Sequence, residues 1–248
     1  MSDIVNLTVI KSLAGNKKVT PNKDGYYTVT LGAFNVRNSA GAIYLFDGVK
    51  EILTNKDGVF GKKLISGRLR SEADHPAREP NMTNEKFIIR NLEISMQHIC
   101  AHIKEVNIKE TKHSENIPGI GNIVLIKGLI KPTGIFGEGL KESLDNPSED
   151  TCFSVRSFTV DKVRPDGNTI KRVKEIVTWD WVSAPGIKYA SKLNAPSVEG
   201  MDVCKISTDE LSNMNLPQVA SVESDDIRDS ITQIVDSTTD NSDILDSW

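Results

Sequence analysis

Eight stretches rich in β-branched and aromatic residues, each bounded by turn-forming residues, limit what this chain can become. They are residues 4–10 (IVNLTVI), 26–34 (YYTVTLGAF), 41–46 (GAIYLF), 85–94 (EKFIIRNLEI), 97–106 (QHICAHIKEV), 122–130 (NIVLIKGLI), 152–160 (CFSVRSFTV) and 173–182 (VKEIVTWDWV). Several alternate apolar with polar residues, the period of a strand with one buried face. Asn22-Lys23-Asp24-Gly25, Pro118-Gly119 and Pro165-Asp166-Gly167 punctuate them as turns. The last lies between two strong runs and predicts a hairpin with a short loop. Helix is sparse. One is predicted at 137–147 (GEGLKESLDNP), ended by Asn146-Pro147. Another is predicted around Ile227, Ile231, Ile234 and Val235, which recur at helical spacing after the capping residues Ser224 and Asp225. The resulting fold class is mainly β with peripheral helices, an α+β chain built on a barrel or sandwich.

Charge is uneven along the chain. Residues 206–248 hold ten acidic residues and one basic residue, Arg228, while the whole chain of 248 residues has a net charge of −4. A mildly basic body therefore carries an acidic tail. The boundary falls near residue 195, where SKLNAPSVEG turns polar. This predicts a body of residues 1–195 and a tail of 196–248, the tail largely disordered around its isoleucine patch. The body is too weakly basic for nucleic acid to lead among its partners. No apolar run reaches the length of a bilayer span, and MSDIVNLTVIKS lacks the pattern of a signal peptide. Three widely spaced cysteines, Cys100, Cys152 and Cys204, argue against a disulfide framework and suit a reducing interior.

Candidate chemistry starts at SEADHPAREP, residues 71–80, where His75 is one of only four histidines. The proline after it biases its backbone to an extended form, so the ring is held in one direction at a strand end or tight turn. In CFSVRSF, Ser154 and Arg156 share one face of a regular strand and Ser157 takes the other. Arg156, or the backbone N–H groups near it, suits an oxyanion. Asp180 lies between two tryptophans in an apolar strand and needs a partner. Nucleophile, base and orienting acid are the parts of a Ser/His/Asp site. Each residue also has a plainer reading: a loop histidine, strand serines bonded to neighbouring backbone, and an aspartate paired with Lys171, Arg172 or Lys174. His98, Cys100 and His102 fall at i, i+2, i+4 with His113 as a fourth donor, a competing metal constellation. Its spacing is not that of a zinc finger or ribbon. No metal and no cofactor are expected, and no GxSxG elbow, phosphate-binding glycine loop or HExxH is present.

Taken in order, these residues bring a family into view. Asp-His-Pro at 74–76, then strands and a short helix, then Ser-x-Arg at 154–156, then Asp180 ahead of Ser-Ala-Pro at 183–185, resembles the prohead core proteases of tailed bacteriophages. These serine proteases mature the phage head and are similar in fold to the herpesvirus assembly protease. The likeness spans residues 40–190. The family's histidine run, commonly Gly-Glu-Leu-Asp/Asn-His-Pro, keeps its Asp-His-Pro end here. Its nucleophile run, commonly Gly-Val-Ser-Ser-Arg-Gly, keeps the first serine and the arginine as Ser154 and Arg156. Val155 replaces the second serine and Ser157 the glycine.

The resemblance implies a herpesvirus-protease-like β-barrel. It implies that Ser154 is the nucleophile, with Ser157 as the alternative, that His75 is the base, that Asp180 orients it, and that the Arg156 region holds the oxyanion. It implies cleavage after glutamate with a small or aliphatic residue two positions before. Substrates would be phage scaffold, core and capsid proteins, met inside the prohead; a homo-oligomer is left open, and no membrane contact is expected. Ser197-Val198-Glu199 and Ser221-Val222-Glu223 fit the cleavage pattern. Self-cleavage after Glu199 or Glu223 would release the tail, which would otherwise dock the zymogen into the scaffolding core through its isoleucines. A different class stays open beside it: a non-catalytic capsid or scaffold component with an acidic interaction tail.

Overall fold

The computed structural model describes residues 4–13, 19–38, 40–147, 149–183, 204–207 and 222–239. In chain order the elements are β1 (Ile4–Leu13), β2 (Tyr27–Phe34), β3 (Val36–Arg37), β4 (Ile43–Leu45), α1 (Val49–Thr54), α2 (Val59–Ile65), β5 (Arg70–Glu72) and α3 (Asn84–Leu92). They continue with β6 (Ile99–Glu110), β7 (Val124–Pro132), α4 (Gly137–Asp145), β8 (Cys152–Val163), β9 (Thr169–Val182), β10 (Cys204–Ser207) and α5 (Val222–Thr239). The strands form two sheets, a six-stranded one in the order β10-β1-β8-β9-β4-β3 and a four-stranded one in the order β2-β7-β6-β5. The fold is mainly β with peripheral helices. The barrel implied by the resemblance does not close, because the strands divide between these two sheets.

The main core lies between the sheets. Phe34, Ile126 and Ile130 from one meet Phe153, Val155, Ile176 and Trp179 from the other, and Leu140 and Leu144 of α4 join them. Phe60 of α2 meets the Trp179 ring edge-on, with centroids 5.8 Å apart. Burying aromatic and aliphatic side chains on this scale is the main force holding the sheets together.

The longest hairpin places the residues of greatest interest. β8 and β9 pair antiparallel from Cys152 opposite Val182 to Val163 opposite Thr169, with Ser154 directly across from Asp180. The turn is the one predicted from Pro165-Asp166-Gly167. Gly167 adopts φ 81, which a residue without Cβ takes at no steric cost, and its N–H donates to the carbonyl of Arg164 at 2.9 Å.

Several elements differ from the sequence expectations. Residues 85–94, read as a strand, form α3 instead. The Thr83 side chain caps it by accepting from the Lys86 N–H, and Phe87, Ile88, Asn91 and Leu92 are buried at helical spacing. The strand reading weighed the β-branched pair Ile88-Ile89 and missed the cap. Helices α1 and α2 occupy a region where no element was expected. In the tail, the isoleucine patch is helical as its spacing predicts, but Ile227, Ile231 and Ile234 pack on the chain's own body. They contact a second apolar cluster of Phe87, Ile88, Leu92, Phe158 and Val177. Arg68 pairs with Asp226 at 2.8 Å and Lys62 with Asp229 at 3.4 Å along the same seam. Among the described residues, no helix is long and apolar enough to cross a membrane.

Candidate active site

His75 lies just beyond β5, in a loop pinned on both sides. The Ala73 N–H donates to the His98 carbonyl at 2.8 Å and the Asp74 N–H to the Trp181 carbonyl at 2.7 Å. Asp74 takes a left-handed backbone, φ 66, and its Oδ1 accepts from the His75 N–H at 2.8 Å. Aspartate tolerates that conformation because its short side chain bonds the local backbone. The loop thus turns the imidazole towards the β8–β9 hairpin.

There the ring bridges two side chains that the hairpin register has already set opposite each other. His75 Nε2 is 2.5 Å from Ser154 Oγ, and His75 Nδ1 is 2.8 Å from Asp180 Oδ2. Ser154 and Asp180 are fully buried, while the His75 side chain keeps 16% exposure and faces solvent. An ionised Asp180 accepts only, so Nδ1 carries the proton and Nε2 is left to accept from the serine hydroxyl.

Asp180 is held from several directions. It accepts from Arg156 Nε and Nη2, each at 2.8 Å, and from the Glu72 N–H at 3.1 Å. Burial alone would push its carboxyl up; the Arg156 guanidinium and then the His75 hydrogen bond outweigh that and hold it at about 2.

Arg156 is fully buried and uses every N–H it has. Beyond its two bonds to Asp180, Nη2 donates to Glu72 Oε2 at 2.9 Å, and Nη1 donates to the carbonyls of Asn91 at 3.3 Å and Glu93 at 2.8 Å. Burial disfavours this cation, but Asp180 and Glu72 outweigh it and raise the guanidinium further. A guanidinium has five N–H donors, and all five are committed. No side-chain donor of Arg156 is left for an oxyanion, so of the two alternatives the sequence offers, the arginine or the backbone N–H groups near it, its contacts oppose the side chain.

Glu72, which the sequence reading did not single out, is also fully buried. Beside Arg156 it accepts from Arg90 Nη2 at 2.8 Å and Nη1 at 3.2 Å, and from the Ser95 N–H. It stands three residues before His75 in the same run, which was the available signal. Arg90 was hidden because its segment was read as a strand.

The remaining candidates fall elsewhere. Ser157 is buried on β8 beyond a register irregularity between Arg156 and Ser157, opposite Ile176, and the imidazole meets Ser154. Lys171 pairs with Asp161 at 2.5 Å and Arg172 with Asp47 at 3.2 Å, so these two are occupied away from Asp180. The metal constellation separates into unlike contacts. The His98 ring stacks on Phe136, Cys100 Sγ donates to Ser71 Oγ at 3.3 Å, and His102 Nδ1 meets the Tyr26 hydroxyl at 3.0 Å. His113 is exposed in a loop. Burial pushes the Cys100 thiol up to about 12. Among the described residues, no group of three or more His, Cys, Asp or Glu is placed to hold a metal. Glu199, Ala184 and Pro185 lie outside the described residues, and Glu223 is in the first turn of α5.

A hydroxyl, an imidazole and a carboxylate joined in line on a β framework form the arrangement by which serine hydrolases activate a nucleophile. The family model described as the Peptidase S80 family matches residues 5–239, and the chain belongs to that family. It is 38% identical over 209 residues to the capsid maturation protease of Pseudomonas phage phiKZ, across 79% of this chain and 73% of that protein. Among solved structures it is similar to the capsid assembly protease of bacteriophage T4, covering 72% of this chain and 98% of that one, with a TM-score of 0.48 and 10% identity.

Proposed function

We propose that this chain is a serine endopeptidase of phage capsid maturation, with Ser154 as nucleophile, His75 as base and Asp180 as the acid that orients it. The observation that carries this reading is the single imidazole bonded to Ser154 Oγ on one side and Asp180 Oδ2 on the other. Ser154 Oγ attacks the scissile carbonyl while His75 Nε2 takes its proton; His75 then gives that proton to the leaving amine, and water repeats the sequence on the acyl-enzyme. Asp180 keeps the proton on Nδ1 and stabilises the imidazolium. The oxyanion falls to backbone N–H groups, since the Arg156 side chain is committed.

The substrates are scaffold, core and capsid proteins inside the prohead, cut after glutamate, and the chain processes itself. The name of its 38% identical relative, a capsid maturation protease, supports the first part, and the two Ser-Val-Glu triplets motivate the second. Of these, Glu223 begins a helix, so its carbonyl must leave a helical turn before it can be attacked. Cutting after Glu199 therefore comes first, and α5 stays on the body through its isoleucines until it is displaced.

Intact-mass measurement of wild type beside Ser154→Ala, each incubated with head proteins, tests the reading. Wild type should cut substrates and lose mass equal to the segment after Glu199, and Ser154→Ala should do neither. Undiminished cutting by Ser154→Ala removes the proposed nucleophile; cutting of substrate without loss of its own mass removes only the self-processing.

A further inference from the structure

We propose that Glu72 is a positioning residue for this reaction: with Arg156 and Arg90 it forms a buried chain of charges that holds the Asp180 carboxylate against His75. The proposal rests on the reading of Ser154, His75 and Asp180 given above.

From the imidazole inwards, the charges alternate. Asp180 is negative, Arg156 positive, Glu72 negative and Arg90 positive, and successive partners are 2.8, 2.9 and 2.8 Å apart at their closest. The side chains of Asp180 and Arg156 have no exposure, that of Glu72 has 1%, and only the far end, Arg90, reaches solvent at 23%. Buried charges at this density persist only when each is paired and hydrogen-bonded. Every link meets that condition. The carbonyls of Asn91 and Glu93 take the last two Arg156 protons, and the Ser95 N–H holds the Glu72 carboxylate from the other side. Glu72 also acts twice, because its own N–H donates to Asp180 Oδ1.

The arrangement solves a specific difficulty. Arg156 and a protonated His75 compete for one carboxylate. An arginine with Asp180 as its only anion would draw that carboxylate wholly to itself and oppose the imidazolium that forms during attack. Glu72 divides the pull of Arg156 between two anions and leaves Oδ2 of Asp180 shared between Arg156 Nε and the ring. Arg90 in turn balances Glu72, so the four inner groups sum to zero charge. Other titratable groups close to this chain of charges include Asp74, which bonds the His75 backbone, the Cys100 thiol, which burial keeps neutral, and Lys63, a half-buried cation that feels the charge of Arg156.

The test is Glu72→Gln, which keeps the shape and removes the charge, measured with a glutamate-containing peptide substrate across pH. We expect kcat to fall roughly tenfold, by analogy with the lower end of what losing an outer hydrogen-bond partner costs at metal-ligating histidines, with KM little changed. Loss of a negative charge makes the imidazolium less favourable, so the acid limb of the pH–kcat/KM profile should move to lower pH, by on the order of one unit. Arg90→Gln removes a positive charge at the solvent end and should move the same limb to higher pH. A purely structural ion pair would lower the folded fraction in both variants and move neither limb. Unmoved limbs in both variants overturn the proposal, as does a normal kcat in Glu72→Gln. Should Glu72→Gln not fold, the limb shift in Arg90→Gln decides alone. Inert wild type, or active Ser154→Ala, instead removes the underlying site.

Discussion

Asp180 stands directly across the β8–β9 ladder from Ser154, and the His75 ring spans the two side chains. One hairpin thus holds the proposed nucleophile and the proposed acid in fixed register, and only the histidine arrives from elsewhere. Asp180→Asn should therefore damage two things at once. The amide no longer anchors the Nδ1–H tautomer, which predicts a fall in kcat of up to about 10⁴-fold. It also leaves Arg156 buried with only Glu72 as counter-charge, which should cost about 3–5 kcal/mol of stability. Steady-state kinetics and a denaturant titration check the two effects separately. A variant with normal turnover would remove Asp180 from the mechanism.

Ser157 provides the control for the choice of nucleophile. It is fully buried and sits past the irregularity that follows Arg156. Ser157→Ala should lose about 1 kcal/mol, the usual net worth of a hydrogen bond, and keep its peptidase rate. Labelling with a serine-directed phosphonate, read by peptide mass, should mark Ser154 in both wild type and Ser157→Ala. A label on residue 157 in wild type would reverse the assignment.

Glu175 predicts a pH dependence of stability under α5. Burial, its largest influence, raises its carboxyl to about 8, against the opposing effects of Lys63 and the hydrogen bond from Gln233. Gln233 Nε2 donates to Glu175 Oε2 at 2.6 Å, so this group sits at the seam between β9 and α5. Lys63, the neighbouring cation, is itself lowered by burial while Asp226 and Glu175 raise it. A carboxyl raised in the folded state binds its proton more tightly there than when unfolded. Its stabilising contribution is complete below the unfolded value of about 4.3 and is lost as pH rises towards 8. Melting curves at pH 5 and pH 8 should show wild type losing stability over that interval and Glu175→Gln losing less. Parallel losses in the two proteins would exclude Glu175 as the cause.

Much of this was legible in the residues, for identifiable reasons. Strand periodicity and the Pro165-Asp166-Gly167 turn placed Ser154 and Asp180 on adjacent strands, and Asp-His-Pro marked a histidine with a constrained backbone. What stayed hidden depended on contacts between distant segments. Arg156 reads as an oxyanion donor because its strand neighbours do not reveal that Glu72, Asn91 and Glu93 consume its protons. Glu72 stands three residues before His75, where the family's histidine run also carries a glutamate, but its partners stay hidden until β5 buries it. Residues 85–94 read as a strand because local β propensity was weighed without the Thr83 cap. The division of the strands into two sheets likewise rests on pairings, such as parallel β4 with β9, that no local pattern encodes.

The docking of α5 is the last of these long-range contacts, and it can be tested alone. Ile234 has no exposure and packs with Ile227 and Ile231 against Phe87, Ile88 and Leu92 of α3 and Phe158 of β8. Ile234→Ala should cost about 2–5 kcal/mol at a fully buried site. Because α5 holds the body by one apolar face and by polar contacts at its edge, among them Arg68–Asp226, Lys62–Asp229 and Gln233–Glu175, the loss should appear first as local opening. Hydrogen exchange should therefore quicken in residues 227–236 while the β8–β9 amides stay protected. Equal loss of protection in the hairpin would show that α5 belongs to the same cooperative unit as the site. In that case, removing the helix by cleavage would unfold the peptidase rather than trim it.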